Sequence, residues 1–184
     1  LAAGNRAMIK MSEFSPRCTA LLTSMLAECF DEDEVAVCGG EIGAAQAFNA
    51  LPFNHLVFTG SPRVGRQVMR AAAEHLTPVT LELGGKSPAI VAPGYPLAQA
   101  AERILWVKML NAGQICTNVD YMFVPAGQEQ DFIQHAQRVV AQRYPNLLNG
   151  EYTAIIDQRQ YDRLQAMLAD ALAQGAQAVP LAPG

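Results

Sequence analysis

The sequence predicts an α/β protein with a mainly parallel β-sheet. Short apolar runs, often β-branched, alternate with segments whose apolar residues recur at helical spacing, and this alternation is typical of β-α-β units. Two helical segments begin with a Ser-Pro pair, Ser15-Pro16 and Ser61-Pro62. We expect the serine to cap each helix and the proline to stand in its first turn. With 184 residues, 51% of them hydrophobic, the chain can form one sizeable core or two lobes.

Strands and helices are expected to alternate up to residue 83. The first helix carries apolar residues at helical spacing from Leu21 to Phe30, so we expect it to have a broad buried face. The predicted strands are 7–10, 35–38, 55–58 and 78–83, and the predicted helices begin at Pro16, near Gly43 and at Pro62. Together these elements predict a half-Rossmann-like layer, in which a parallel sheet carries helices on its surface.

A second α/β unit is expected from Gly84 onward. The Gly84-Gly85 pair permits a hinge, so we place a domain boundary there, with residues 1–83 in one domain and 84–184 in the other. The predicted strands of the second domain are 89–91, 121–124 and 178–179. Its predicted helices are 97–110, one around 132–140 and one around 161–172.

Composition and charge argue against several classes of protein. The formal net charge is −4 and the pI about 5.3, and the basic residues form no cluster, which argues against nucleic-acid binding. No apolar run approaches the roughly 18 residues of a membrane span, and none resembles a signal peptide. The cysteines form no CxxC pair and have no histidine at ligand spacing. We therefore expect no metal site and no disulfide framework, and we predict a cytoplasmic location.

Cys116 is the candidate nucleophile. It stands in the run Gly-Gln-Ile-Cys-Thr-Asn (113–118), which is a small polar turn rather than an apolar stripe. A cysteine thiol is mostly protonated at neutral pH and needs activation by nearby N–H groups or by a positive charge. The alternative interpretation is a buried structural cysteine. That interpretation suits Cys18, Cys29 and Cys38 better than Cys116.

Glu82 is the candidate general base. It lies between Leu81 and Leu83 in a strand pattern and precedes two glycines. A carboxylate in this pattern either faces solvent or is held in a tight pocket, where it can activate water for a hydrolytic step. The strand pattern alone favours the solvent-facing alternative at least as strongly. The presence of Cys116 further along the chain favours the general base.

Two further segments are candidates for nucleotide binding. The Gly60–Gly65 segment lies between a strand and a helix, where backbone N–H groups can bind phosphate and glycine permits close approach. An ordinary capped turn is the alternative, since the spacing is not that of the GxGxxG fingerprint. Lys10 and Glu13, at the end of the first strand, are candidates for hydrogen bonds to ribose hydroxyls. Surface charges at a strand end are the alternative there.

Taken together, these motifs resemble the aldehyde dehydrogenase superfamily. The resemblance is carried mainly by Thr-Pro-Val-Thr-Leu-Glu-Leu-Gly-Gly-Lys-Ser-Pro (77–88) and Gly-Gln-Ile-Cys (113–116). Residues 71–78 and 111–114 are most similar to the class 3 branch, and within it to the coniferyl aldehyde dehydrogenases. In such enzymes an aldehyde is oxidised to a carboxylic acid through a cysteine thiohemiacetal and a thioester. The resemblance also implies that the chain is an internal fragment of a homo-oligomeric enzyme, and that the fragment itself is inactive.

The resemblance assigns roles to particular residues and groups. It implies NAD as cofactor, with NADP also possible, and a small-molecule aldehyde as substrate. The implied roles are nucleophile for Cys116, general base for Glu82, nucleotide groove for Gly60, Ser61 and Gly65, adenosine ribose for Lys10 and Glu13, and nicotinamide contact for Leu83. Met11 departs from the pattern, because the family usually has proline after this lysine. Two alternatives stay open: a relative that passes the acyl group to coenzyme A, and a noncatalytic nucleotide-binding or interaction module.

Overall fold

The computed structural model describes residues 1–182, and the chain divides into two compact units, Leu1–Leu83 and Gly84–Gly184. Helices alternate with strands in both units, and every strand pair in the described residues is parallel. The predicted α/β class is therefore confirmed. In the same part of the chain, no helix combines the length and the apolar character that crossing a membrane requires.

The first unit contains four strands and three helices in alternation. They are β1 (Ala7–Lys10), α1 (Pro16–Ala27), β2 (Val35–Cys38), α2 (Ile42–Asn49), β3 (Leu56–Gly60), α3 (Pro62–Ala73) and β4 (Val79–Leu83). The strands form two parallel pairs, β1 with β2 and β3 with β4. β3 runs two residues further than predicted, so Gly60 is the last residue of the strand.

α3 follows its sequence pattern most closely. The side chain of Ser61 accepts a hydrogen bond from the N–H of Val64 at 3.3 Å, and proline stands in the first turn, as predicted. The buried residues of the helix are Gly65, Val68 and Ala72. This spacing of three and four places all of them on one face, which is the pattern of an amphipathic helix.

The broad buried face predicted for α1 is wrong for this chain. No residue of α1 is buried, and Leu21 and Met25 are 61% and 55% exposed. Contact with β2 leaves only one row of side chains half-buried, because the β1–β2 sheet has just two strands about 4.8 Å apart. The side chain of Ser15 also makes no capping bond; its hydroxyl donates instead to the carbonyl of Ser12 at 3.3 Å.

The second unit is built on two packed helices. Its elements are β5 (Ser87–Ile90), α4 (Leu97–Met109), a 3₁₀ turn (Leu110–Gly113), β6 (Val119–Phe123), α5 (Glu129–Arg143) and α6 (Gln158–Ala173). The buried core residues are Val91, Ala100, Ala101, Leu105, Phe132, Ala136 and Val140. The alanines on α4 and α5 let the two helices approach closely, while the larger side chains fill the remaining space.

The end of the second unit differs from prediction at residues 178–179. Residues 178–179 form no strand, because they pair with no other strand among the described residues. The Gln137 amide instead donates to the carbonyl of Pro180 at 3.0 Å. On α6 the apolar side chains lie on an exposed surface: Tyr161, Leu164, Met167, Leu168 and Leu172.

Candidate active site

The carboxyl ends of β3 and β4 bring four predicted site residues together. The register places Thr59 beside Glu82 and Gly60 beside Leu83, and α3 begins directly after β3 with Ser61 as its cap. In open α/β sheets, ligands bind outside this end of the strands. The first unit therefore gathers Gly60, Ser61, Glu82 and Leu83 at the edge of the sheet where a nucleotide is expected.

Gly65 contributes to this edge by letting a helix approach a strand. It is buried in α3, and a Cβ at this position would lie 3.2 Å from Cδ2 of Leu83 and 3.5 Å from Cδ1 of Leu81. A side chain would push α3 away from β4. The contact that the structure shows for Gly65 is thus with β4, and its place in a nucleotide groove stays a prediction.

The start of α3 has a limited capacity for binding phosphate. Pro62 has no N–H, and the N–H of Val64 already donates to Ser61. A phosphate is therefore offered fewer donors than at an uncapped helix. Beside this turn, a Cβ at position 60 would lie 2.6 Å from Cζ of Phe58. The ring of Phe58 thus fills the space next to Gly60.

Glu82 is exposed on β4. In this strand Val79, Leu81 and Leu83 are half-buried, while Thr80 and Glu82 are exposed, which is the alternation of a strand with one covered face. In the first unit the carboxylate therefore faces solvent. Cys116 belongs to the second unit, so the pairing of Glu82 with Cys116 stays a prediction.

Lys10 and Glu13 are partners of one another. Nζ of Lys10 lies 3.6 Å from Oε2 of Glu13, and the side chains are 12% and 38% exposed, respectively. The pair stands at the carboxyl end of β1, where the N–H of Met11 donates to the carbonyl of Cys38 at 3.1 Å. A proline at position 11 would lack this donor, so Met11 extends the pairing of β1 with β2 by one bond.

Cys116 lies in the second unit, in the turn between the 3₁₀ segment and β6. Its side chain is exposed. A Cβ at position 85 would lie 3.3 Å from the carbonyl oxygen of Cys116, so glycine at 85 lets the chain before β5 pass close to the backbone of the turn. The sulfur is thus accessible to solvent, while the backbone of its turn packs closely against the chain at Gly85.

The backbone before Cys116 is held in an unfavourable conformation. Asn111, Ala112 and Gly113 have φ values of 52°, 51° and 79°. The left-handed region costs a non-glycine residue roughly 1–2 kcal/mol, and such residues cluster at functional sites. The side chain of Gln114 contacts this turn: its amide nitrogen donates to the carbonyl of Asn111 at 3.0 Å.

Asn118 supports the turn from the other side. It is 7% exposed, and its Nδ2 donates to the carbonyls of Val107 and Lys108 at 3.0 and 3.2 Å. Its N–H donates to the carbonyl of Ile115 at 3.1 Å. Its buried Oδ1 has no hydrogen-bond partner among residues 1–182. Sequence reasoning used Gln114 and Asn118 only as signs of a polar turn and missed both as supports of its backbone.

The other cysteines correct one prediction. Cys18 and Cys29 are exposed and Cys38 is half-buried, so the interpretation of these residues as buried structural cysteines is wrong. For Cys18 the reason is that no residue of α1 is buried, while Cys29 follows the end of that helix and Cys38 ends β2. All four cysteines lie in the described residues and are free thiols, and no group of metal-ligating side chains forms among those residues.

The loop after α5 adds a tyrosine pair to the second unit. The rings of Tyr144 and Tyr152 meet edge to face with centroids 5.0 Å apart. Tyr152 also lines an apolar cleft of about 250 Å³ with Leu105 and Val140. Burial raises the pKa of the Tyr152 phenol, and the charge of Tyr144 raises it further.

Comparison with known proteins identifies relatives along nearly the whole chain. Residues 1–182 match the model of the aldehyde dehydrogenase family. The chain is 55% identical over 182 residues to a probable coniferyl aldehyde dehydrogenase of Pseudomonas aeruginosa, covering 98% of the chain and 38% of that protein. It is 49% identical to the coniferyl aldehyde dehydrogenase of a Pseudomonas species, covering 99% of the chain and again 38% of that protein.

Solved structures give the same result. The substrate-bound state of Staphylococcus aureus AldH matches with a TM-score of 0.87 at 37% identity, covering 94% of this chain and 38% of that one. A Mycobacterium tuberculosis aldehyde dehydrogenase complexed with NAD+ matches with a TM-score of 0.85 at 30% identity, covering 95% and 37%. The chain thus spans less than two-fifths of the length of these relatives.

Proposed function

Because the chain belongs to the aldehyde dehydrogenase family, we propose that the full-length protein oxidises an aldehyde to a carboxylic acid. The observation that carries the proposal is the family match over residues 1–182, which includes the exposed thiol of Cys116. We further propose that residues 1–83 are part of the cofactor-binding domain and residues 84–184 part of the catalytic domain. The parallel β3–β4 edge with its gathered site residues supports the first of these assignments.

In the proposed reaction, Cys116 acts first. Its thiolate attacks the aldehyde carbonyl carbon, and the backbone N–H of Cys116 stabilises the developing oxyanion. When bound, the nicotinamide supplies the acceptor for the hydride that leaves this carbon. The carbon is then a thioester with Cys116. Glu82 takes a proton from water, the hydroxide attacks the thioester, and the carboxylic acid leaves as the thiolate is regenerated.

The proposed place for a dinucleotide is the β3–β4 edge, where Pro62 and the Ser61–Val64 bond leave fewer N–H donors for phosphate than an uncapped helix has. Gly60 and Ser61 stand where the phosphates would meet the start of α3, and Leu83 ends the neighbouring strand. The Lys10–Glu13 pair offers a donor and an acceptor to ribose hydroxyls. We propose NAD as the preferred cofactor, since the carboxylate of Glu13 disfavours a 2′-phosphate, and NADP as a weaker one. An NADP-dependent enzyme of E. coli has a similar structure, with a TM-score of 0.87 at 29% identity, so both cofactors are to be tested.

An aromatic aldehyde of the coniferyl type is the proposed substrate. The support is the identity of 49–55% to proteins named for that substrate. The other proposals are a homo-oligomeric assembly and a cytoplasmic location, the latter in keeping with free thiols.

The test is steady-state oxidation of coniferyl aldehyde and of hexanal by the full-length protein, with each cofactor. Cys116→Ala is expected to abolish turnover, while Cys18→Ala, which removes another exposed thiol, keeps it. Turnover retained by Cys116→Ala would overturn the proposed mechanism. A full-length protein that oxidises neither aldehyde with either cofactor would favour the noncatalytic module. Formation of acyl-coenzyme A instead of the acid would favour the acylating relative.

A further inference from the structure

The side chain of Gln114 uses both ends of its amide in hydrogen bonds to the main chain. Nε2 donates to the carbonyl of Asn111 at 3.0 Å and to that of Ala154 at 3.1 Å. Oε1 accepts from the N–H of Ile156 at 3.0 Å. In return, Nδ2 of Asn111 donates to the carbonyl of Gln114 at 3.2 Å. These bonds join the turn before Cys116 to a segment 40–42 residues further along the chain.

The backbone at this place needs outside support. Asn111 and Ala112 both have positive φ, a conformation that persists for non-glycine residues only when the surroundings impose it. The Cys116 side chain is exposed, so side-chain packing contributes little to its position. Gln114 stands two residues before Cys116. Its side chain is bonded both to Asn111 within the turn and to Ala154 and Ile156 outside it.

We propose that Gln114 is a positioning residue for the nucleophile. Its side chain fixes the main chain at residue 114, and through it the direction in which the Cys116 sulfur approaches an aldehyde carbonyl. The proposal rests on the proposed function, in which Cys116 attacks the substrate. Attack requires a near-attack geometry, and a displacement of about 1 Å can cost roughly 100-fold in rate. Gln114 acts through the backbone and needs no contact with the aldehyde.

A purely structural tether is the competing explanation, and the chain offers a matched control. Gln137 is another glutamine of the second unit whose Nε2 donates to a distant carbonyl, that of Pro180, 43 residues away at 3.0 Å. Methionine has a similar length without the hydrogen bonds. We therefore compare Gln114→Met with Gln137→Met in the full-length enzyme.

The measurement is the rate of the first turnover at saturating aldehyde and cofactor, together with the aldehyde KM. We expect Gln114→Met to slow the first turnover 10- to 100-fold with KM changed less than threefold, and Gln137→Met to change neither more than threefold. Hydrogen exchange at the N–H of Ile156 should quicken in the first variant alone. Equal rates in the two variants, or a raised KM with an unchanged first turnover, would overturn the proposal.

A second substitution keeps the test decisive if Gln114→Met does not fold. Gln114→Glu keeps an acceptor for the N–H of Ile156 but loses the donor to Asn111 and Ala154. It should slow the first turnover at least tenfold relative to Gln137→Glu, and equal rates in this pair also count against the proposal. Cys116→Ala distinguishes a failure of the proposed function from a failure of the role proposed for Gln114. Turnover in that variant refutes the proposed function. If Cys116→Ala is inactive and Gln114→Met has the normal first-turnover rate, only the role of Gln114 is refuted.

Discussion

Gly65 in α3 lies so close to Leu83 at the end of β4 that a Cβ would stand 3.2 Å from Cδ2 of the leucine. This contact sets the distance between the helix and the strand at the proposed cofactor edge. Leu83 is also the residue proposed to meet the nicotinamide. If the proposed function holds, packing of the fold and binding of the cofactor depend on the same side chain.

Gly65→Ala should not show the gain in stability that alanine usually gives in place of a helical glycine. Alanine in place of glycine within a helix stabilises by about 0.5–1 kcal/mol, and Gly43 in α2, whose Cβ would meet no atom within 4 Å, should show that gain. At position 65 the Leu83 side chain must move instead. We expect Gly65→Ala to be at least about 1 kcal/mol less stable than Gly43→Ala in denaturant unfolding, and to raise the KM for cofactor. Equal stability of the two variants would contradict the packing argument.

Glu82→Gln should separate the two halves of the proposed reaction. The carboxylate acts only when water attacks the thioester, so the first turnover should form reduced cofactor at the normal rate. Sustained turnover should fall by about 10²–10⁴-fold, the usual contribution of a general base. The control is Glu74→Gln, which removes another exposed carboxylate of the first unit. Sustained turnover equal to that of the control would exclude Glu82 as the base.

Asn118→Ala should destabilise the second unit. The substitution leaves the carbonyls of Val107 and Lys108 without the amide that now donates to them, and the site is buried. The expected loss is about 1–3 kcal/mol in denaturant unfolding. Asn146→Ala removes an exposed bond to the N–H of Leu148 and should cost no more than about 0.5 kcal/mol. Similar losses in the two variants would be inconsistent with a supporting role for Asn118.

Tyr152 should make the stability decline at alkaline pH. Burial, and then the charge of Tyr144, raises the pKa of its phenol in the folded chain above the ordinary 10.0. The folded state thus holds the proton more tightly, so this contribution is full below pH 10 and is lost as the pH rises through the folded pKa. Tyr152→Phe should flatten the decline of the unfolding midpoint above pH 10. Tyr161→Phe, on the exposed surface of α6, should leave it as steep as before.

Local signals predicted the elements well. The Ser61-Pro62 pair placed the start of α3, because a capping bond joins residues only three positions apart in the sequence. The burial of α1 could not be predicted in the same way. How many of its apolar side chains are covered depends on the width of the sheet beneath it, which Leu21 and Met25 do not encode.

The site was predicted as a set of residues rather than as an arrangement. The sequence named Gly60, Ser61, Glu82 and Leu83 separately, and the parallel register of β3 and β4 is what brings them to one edge. The bonds of Gln114 to Ala154 and Ile156 join residues at least 40 positions apart. No motif or period in the sequence relates those positions.

The uncovered outer surface of α1 affects how the thiol of Cys116 is to be probed chemically. Cys18 in α1 and Cys29 just after that helix are exposed, as is Cys116, so the total uptake of an alkylating reagent would sum three thiols. Replacing Cys18 and Cys29 by serine first, or measuring the modified peptides one by one in a mass spectrometer, assigns the reactivity to a single position.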